Sequence, residues 1–133
     1  MFKKHPILLR IALFSALLLL GHIIALHFSI YWTIEGYDSV MHAFGGFIGA
    51  LIVIYVLQKI GISPQSLPKK IILFLFVVIS VIAVGSIWEL WEIFVGFTDP
   101  FTDVVDTISD LVMDTLGAMI AFVYYDKRLR AKE

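Results

Sequence analysis

Four long apolar segments constrain this chain more than any other feature of its sequence. They run from about Ile7 to Phe28, from Val40 to Leu57, from Ile71 to Phe97 and from Val104 to Tyr125. A helix of about 20 apolar residues crosses the roughly 30 Å of hydrocarbon in a bilayer, so each segment can span it. The sequence therefore predicts an all-α membrane protein, with residues 1–133 forming a single membrane domain built as a four-transmembrane-helix bundle.

Composition excludes several other classes of protein. Of the 133 residues, 60% are hydrophobic and 16% charged, an apolar share well above that of a soluble domain. The chain has no cysteine, which removes disulfides and thiolate chemistry. Its ten Lys and Arg lie in short clusters, and its net charge is −1, so we expect no nucleic-acid partner.

The basic residues also predict an orientation. Short loops rich in Lys and Arg stay on the cytoplasmic side of a membrane. All ten lie in or near the N-terminus, the loop between the second and third segments, or the C-terminal tail. Stretches 29–39 and 98–106 carry acidic residues and no basic ones. We therefore expect both termini in the cytoplasm, and a multi-pass protein of the cell membrane.

Ionisable residues recur inside the predicted spans, where each costs about 2.5 to 3.5 kcal/mol on insertion scales. At about 100° per residue, they fall on narrow faces that also carry glycine. The second helix presents Asp38, His42, Gly45 and Gly49; the third presents Gly85, Glu89, Glu92 and Gly96; the fourth presents Asp103, Asp106, Asp110, Asp114 and Gly117. The first helix adds His22. Because small residues let helices approach closely, the sequence predicts one shared polar pocket in the outer half of the bilayer.

Carboxylates gathered in such a pocket need protons or a cation to neutralise them. Oxygen-rich ligation with an imidazole suits Mg, Mn, Zn or Fe, so a divalent metal ion is the predicted cofactor. The candidate metal ligands are Asp38, His42, Glu89, Glu92, Asp106, Asp110 and Asp114. The candidate catalytic residues are Asp110, Asp114, Glu89 and His42.

Less specific interpretations apply to several of these residues. Glu89 and Glu92 lie beside Trp88 and Trp91, and all four can belong to the outer membrane boundary. Asp103 is well placed to cap the N-terminus of the fourth helix. We expect the glycines at 45, 49, 85 and 117 to be packing positions.

Three motifs together resemble a known group of proteins. They are Tyr37-Asp38-Ser39-Val40-Met41-His42 before Gly45 and Gly46, then Trp88-Glu89-Leu90-Trp91-Glu92, then Asp106, Asp110 and Asp114 before Gly117. Their order and spacing resemble the small YjdF-like inner-membrane proteins and, more distantly, the VanZ-like family, whose members are associated with lowered susceptibility to glycopeptide antibiotics. Glu92 and Asp114 stand where the VanZ-like pattern has Gln and Asn, and no Arg precedes Asp110. The resemblance implies a bacterial or archaeal envelope protein and names no reaction.

Three functions remain open from the sequence. The first is a metal-dependent hydrolase or transferase acting on a membrane lipid or lipid-linked substrate. The second is a non-enzymatic protein that binds protons, a cation or an envelope ligand, working as a homo-oligomer. The third is a small subunit of a larger membrane complex, with its polar faces buried against partner helices.

Overall fold

The computed structural model describes residues 6–62 and 67–129, which are helical wherever they are regular and include no strand. Four long helices follow one another, interrupted by one short one. They are α1 (Pro6–His27), α2 (Ile30–Thr33), α3 (Tyr37–Lys59), α4 (Leu67–Val95) and α5 (Val104–Tyr124), and a π-helical turn, Tyr125–Leu129, follows α5. In the described part, α1, α3, α4 and α5 are long and apolar enough to cross a membrane. The predicted number of spanning helices is confirmed, and the side on which the termini lie stays a prediction.

Helix α2 was not foreseen, because stretch 29–39 reads as a loop. It is one turn long and lies between two residues with left-handed backbone, Ser29 at φ 56° and Gly36 at φ 77°. Helix α3 then begins at Tyr37, three residues before the predicted start at Val40. Asp38 therefore belongs to the first turn of a spanning helix.

Helix α3 is the central element of the bundle. It packs against α1, α4 and α5, and α5 also packs against α4. One half of the bundle has an apolar core, formed by residues such as Leu51 and Ile54 of α3, Val77 of α4 and Ala118 of α5. We call this region the apolar half. The outward faces of the helices carry exposed Leu, Ile, Val and Phe, as expected for surfaces in contact with lipid.

Polar contacts close the far end of the apolar half. The Gln58 amide donates a hydrogen bond to the Tyr125 hydroxyl at 2.9 Å. The Lys70 ammonium makes an ion pair with Asp126 at 2.9 Å, which ties the start of α4 to the end of α5. The opposite half, towards α2 and the loop between α4 and α5, contains the buried ionisable residues. We call it the polar half.

Candidate metal centre

The polar half is positioned by a close crossing of α3 and α5. Gly46 of α3 lies against the backbone of Asp114, and Gly117 of α5 lies against the backbone of Ala43. A Cβ added at either glycine would collide with those backbone atoms, so only glycine permits this approach. The crossing brings His42, which directly precedes Ala43, beside Asp114 and beside Asp110 one turn away.

The glycine predictions are partly confirmed. Gly117 is a packing position, and so is Gly85, where an added Cβ would collide with the carboxylate of Asp114. A Cβ at Gly49 would make ordinary contact with Val81 Cγ2 at 3.7 Å. The prediction for Gly45 is wrong, because an added Cβ there meets nothing within 4 Å. The crossing uses its neighbour Gly46 instead.

The imidazole of His42 is the centre of the polar half. Its Nε2 lies 4.0 Å from Asp38 Oδ1, 3.8 Å from Glu89 Oε1 and 3.9 Å from Asp110 Oδ2. Its Nδ1 lies 3.5 Å from Asp114 Oδ2, within hydrogen-bonding distance. Carboxylates from three helices thus surround one histidine. We call these five side chains the His42 cluster.

Burial separates the members of the His42 cluster. The side chains of His42, Glu89, Asp110 and Asp114 are each 8% exposed or less, whereas that of Asp38 is 37% exposed. Within residues 6–62 and 67–129, Glu89 Oε1 is the buried side-chain oxygen or nitrogen that has no hydrogen-bond partner. Buried acceptors are usually hydrogen-bonded, so this oxygen is available to a further group.

Two sets of side chains in the polar half can hold a metal ion. One is Asp38, His42 and Asp110, and the other is His42, Glu89 and Glu92; within each set, one ligand atom per residue lies within 4.8 Å of the others. Glu92 is less free than Glu89, because it accepts hydrogen bonds from Trp88 Nε1 at 3.0 Å and from Thr98 Oγ1 at 3.5 Å. Both sets share His42.

Ser39 is a member of the site that sequence reasoning passed over. Its hydroxyl donates a hydrogen bond to Asp110 Oδ1 at 3.2 Å. A lone serine carries little signal in a sequence. Its position three residues before His42, on the same side of α3, was the available clue.

Two of the predicted acidic residues are placed elsewhere. Asp106 is exposed on α5 and belongs to neither set of potential ligands, although its role as a ligand stays a prediction. Asp103 is at the N-cap position of α5, but its side chain does not cap the helix. Its carboxylate instead accepts hydrogen bonds from the Asp99 backbone N–H at 2.8 Å and from the Thr102 hydroxyl at 3.0 Å. These bonds hold the pKa of Asp103 below its usual value.

Aromatic residues line the outer edge of the His42 cluster. His22 Nδ1 lies 2.7 Å from the Tyr31 hydroxyl, and the Tyr37 hydroxyl donates to the Gly21 carbonyl at 3.1 Å. Burial, followed by the nearby Asp38 carboxylate, raises the pKa of Tyr31 to about 12. Tyr31 therefore stays protonated, and its hydroxyl can donate a hydrogen bond to His22 Nδ1. The structure assigns His22 to this edge and pairs it with Tyr31.

Comparison with known proteins identifies the family. A family model described as "Predicted membrane protein (DUF2238)" matches residues 4–131. Comparison with curated proteins gives no match, and comparison with solved structures gives none either. The names YjdF-like and VanZ-like stay predictions. Because the match covers nearly the whole chain and four helices can span a bilayer, the protein is a multi-pass membrane protein that belongs to the DUF2238 family.

Proposed function

We propose that this protein binds a divalent metal ion in the His42 cluster and uses the ion to act on the head group of a membrane lipid or lipid-linked envelope molecule. The observation that carries this proposal is the convergence of Asp38, Glu89 and Asp110 on Nε2 of His42, all within 4.0 Å. One imidazole among carboxylate oxygens is a ligand set that suits Mg, Mn, Zn or Fe.

Charge supports a cation. Every Lys and Arg of the sequence lies outside stretches 11–58 and 71–126, which contain the whole His42 cluster. A buried carboxylate without a compensating charge is expensive, and this cluster has three of them around one imidazole, with Asp38 half-buried beside them. A divalent ion would neutralise two of these charges. It would also give Glu89 Oε1 the partner that it lacks among the described residues.

The exposure of Asp38 supports a head group as the substrate. Asp38 is the one residue of the His42 cluster with a side chain more than 8% exposed, so a substrate reaches the cluster on its side. That side is the end of the bundle beside α2, where the chain leaves the spanning helices. The head-group layer of a bilayer lies at this depth. The orientation predicted from the basic residues makes this the external leaflet.

The chemistry follows from the ligand set. A cation held there polarises a phosphoryl or ester oxygen and lowers the pKa of bound water. Glu92 has a ligand atom close to those of His42 and Glu89, and its hydrogen bonds from Trp88 and Thr98 fix its carboxylate. It is well placed to act as the general base that removes a proton from attacking water.

Lipid mass spectrometry tests this proposal. The purified protein is placed in vesicles of total lipid extract from the expression host, with Mg, Mn, Zn or Fe(II) added in turn. We expect a metal-dependent change in head-group mass that Asp110→Asn abolishes. Asp103→Asn, which removes a half-buried carboxylate outside the cluster, is the matched control and is expected to retain the activity. Metal binding without any change in lipid mass would rule out the enzymatic function.

Metal binding without a change in lipid mass would favour a second function, the binding or movement of protons or cations without turnover. The observation in its favour is that His42 lies at ion-pair distance, 3.5 to 4.0 Å, from four carboxylates. A protonated imidazole can balance part of their charge without a metal. Four spanning helices are few for a carrier, so this version requires a homo-oligomer or a larger membrane complex.

A further inference from the structure

The two ring nitrogens of His42 have different surroundings. Nε2 is surrounded at 3.8 to 4.0 Å by single oxygens of Asp38, Glu89 and Asp110. Nδ1 has a different partner, Asp114 Oδ2, at 3.5 Å and in hydrogen-bonding geometry. A neutral imidazole carries its proton on one nitrogen and offers a lone pair on the other. The geometry therefore divides the four carboxylates into a group of three and a group of one.

A carboxylate oxygen accepts a hydrogen bond from an imidazole N–H. Asp114 thus stabilises the tautomer of His42 that carries the proton on Nδ1. In that tautomer Nε2 has a free lone pair, and this lone pair is on the side of Asp38, Glu89 and Asp110. A histidine that binds a metal through one nitrogen commonly donates the other N–H to a carboxylate, which fixes the ring and raises its basicity.

Asp114 is itself held in place by backbone packing. Its own backbone lies against Gly46 of α3, and its carboxylate lies against Gly85 of α4, with no room for a Cβ at either glycine. Asp114 belongs to neither set of side chains with mutually close ligand atoms. Its partner nitrogen and its absence from both sets therefore separate Asp114 from the proposed ligands.

Asp110 is oriented in a related way. The Ser39 hydroxyl donates to Oδ1 of Asp110, and Oδ2 is the oxygen near His42 Nε2. Each of these contacts reduces the number of conformations that the groups around Nε2 can adopt. The result is a rigid arrangement of ligand atoms on spanning helices, which favours one defined ion position.

We propose that the ion binds at Nε2 of His42 together with the carboxylates of Asp38 and Asp110, whose ligand atoms are mutually close, with Glu89 beside it, and that Asp114 is a positioning residue that holds the ring through Nδ1. This inference rests on the metal binding proposed above. It removes Asp114 from the predicted metal ligands, and it makes the centre a single-ion site with one nitrogen and two carboxylate ligands, beside which Glu89 lies.

Zinc titration of matched variants tests whether Asp110 is a ligand and Asp114 a positioning residue. We expect Asp110→Asn, which removes a ligand, to weaken Zn²⁺ affinity by more than about 100-fold. That loss is above the range for residues that orient a ligand without binding the metal. We expect Asp114→Ala to weaken it by about 10- to 100-fold, and Asp114→Asn by less, because an amide oxygen still accepts from Nδ1–H. Equal losses for Asp110→Asn and Asp114→Asn would overturn the proposal.

Nitrogen NMR of histidine-labelled protein gives a second readout, which a merely structural role of Asp114 would not change. The His42 signals are assigned by comparison with His42→Gln. We expect Zn²⁺ to shift the Nε2 resonance while the proton stays on Nδ1, and we expect Asp114→Ala to move the Nδ1 resonance of the zinc-bound ring. Zinc at Nδ1 would overturn the assignment and leave the proposed function standing. Absence of zinc binding by the unaltered protein would instead remove the proposed function itself.

Discussion

The apolar half and the polar half of this bundle share helices α3, α4 and α5 and differ in what holds them together. In the apolar half, Leu51, Ile54 and Val77 are buried among other aliphatic side chains. In the polar half, His42 and four carboxylates occupy the corresponding interior. One half excludes polar groups from its interior, and the other concentrates them.

Stability and function reside in different halves of the bundle. Lipid tails are as apolar as leucine, so burial of aliphatic side chains drives helix association weakly in a bilayer, and close packing matters more. The apolar half supplies such packing and no chemistry. The polar half concentrates like charges and leaves Glu89 Oε1 without a hydrogen-bond partner among the residues described. An arrangement that destabilises the ion-free protein in this way is typical of a binding site.

The glycine crossing joins the two halves, and its disruption should have the largest effect. In Gly117→Ala the new Cβ collides with the backbone of α3 at Ala43, and no rotamer change can relieve that collision. We expect a loss of more than about 3 kcal/mol in the free energy of unfolding, together with loss of metal binding. Unfolding in mixed micelles, followed by circular dichroism, measures the stability.

Gly45→Ala is the matched control for that variant. An added Cβ at Gly45 meets nothing within 4 Å, and alanine is the better helix former by about 1 kcal/mol. We expect unchanged or slightly raised stability. A Gly117→Ala protein as stable as Gly45→Ala would show that α3 and α5 do not approach closely.

A cavity in the apolar half should lower stability without affecting the site. Leu51 is fully buried, and Leu51→Ala removes its packing contacts. We expect a loss of about 2 to 3 kcal/mol in the free energy of unfolding, with Zn²⁺ affinity within about twofold of the unaltered protein. Ile52→Ala, at a lipid-facing neighbour, is the control and should be close to neutral. Loss of metal affinity in Leu51→Ala would mean that the halves are energetically coupled.

A substitution in the polar half should change the stability in the opposite direction and by a smaller amount. Glu89→Gln removes a buried charge with an unpaired oxygen, so we expect the metal-free protein to gain about 1 kcal/mol in stability while metal affinity falls. Glu92→Gln should bring no such gain, since both Glu92 oxygens already accept hydrogen bonds. Thermal unfolding with and without Zn²⁺ measures both effects. A destabilised Glu89→Gln protein would indicate that the carboxylate is satisfied without an ion.

Much of the fold could be predicted from the sequence because membranes impose simple rules. Segment length gave the four spanning helices, and the 100° arithmetic correctly placed Asp38, His42, Glu89, Asp110 and Asp114 on inward faces. These inferences depend on one helix at a time, which is why they succeeded.

The remaining features depend on how two helices meet. The choice of Gly46 over Gly45 follows from the crossing point of α3 and α5, which periodicity along one helix does not define. The separation of Asp114 from the other carboxylates requires knowledge of which ring nitrogen it faces. Asp103 was expected to cap α5, yet its oxygens are engaged by Asp99 and Thr102 in the preceding loop.

The metal content of the purified protein shows whether His42 and carboxylates from three helices form one ion-binding centre. After equilibrium dialysis against Zn²⁺, bound metal per chain is measured for the unaltered protein and for His42→Gln, with circular dichroism confirming equal helix content. The account predicts about one ion per chain in the first and none in the second. An unaltered protein that binds no ion, or a His42→Gln protein that binds as much, would contradict it.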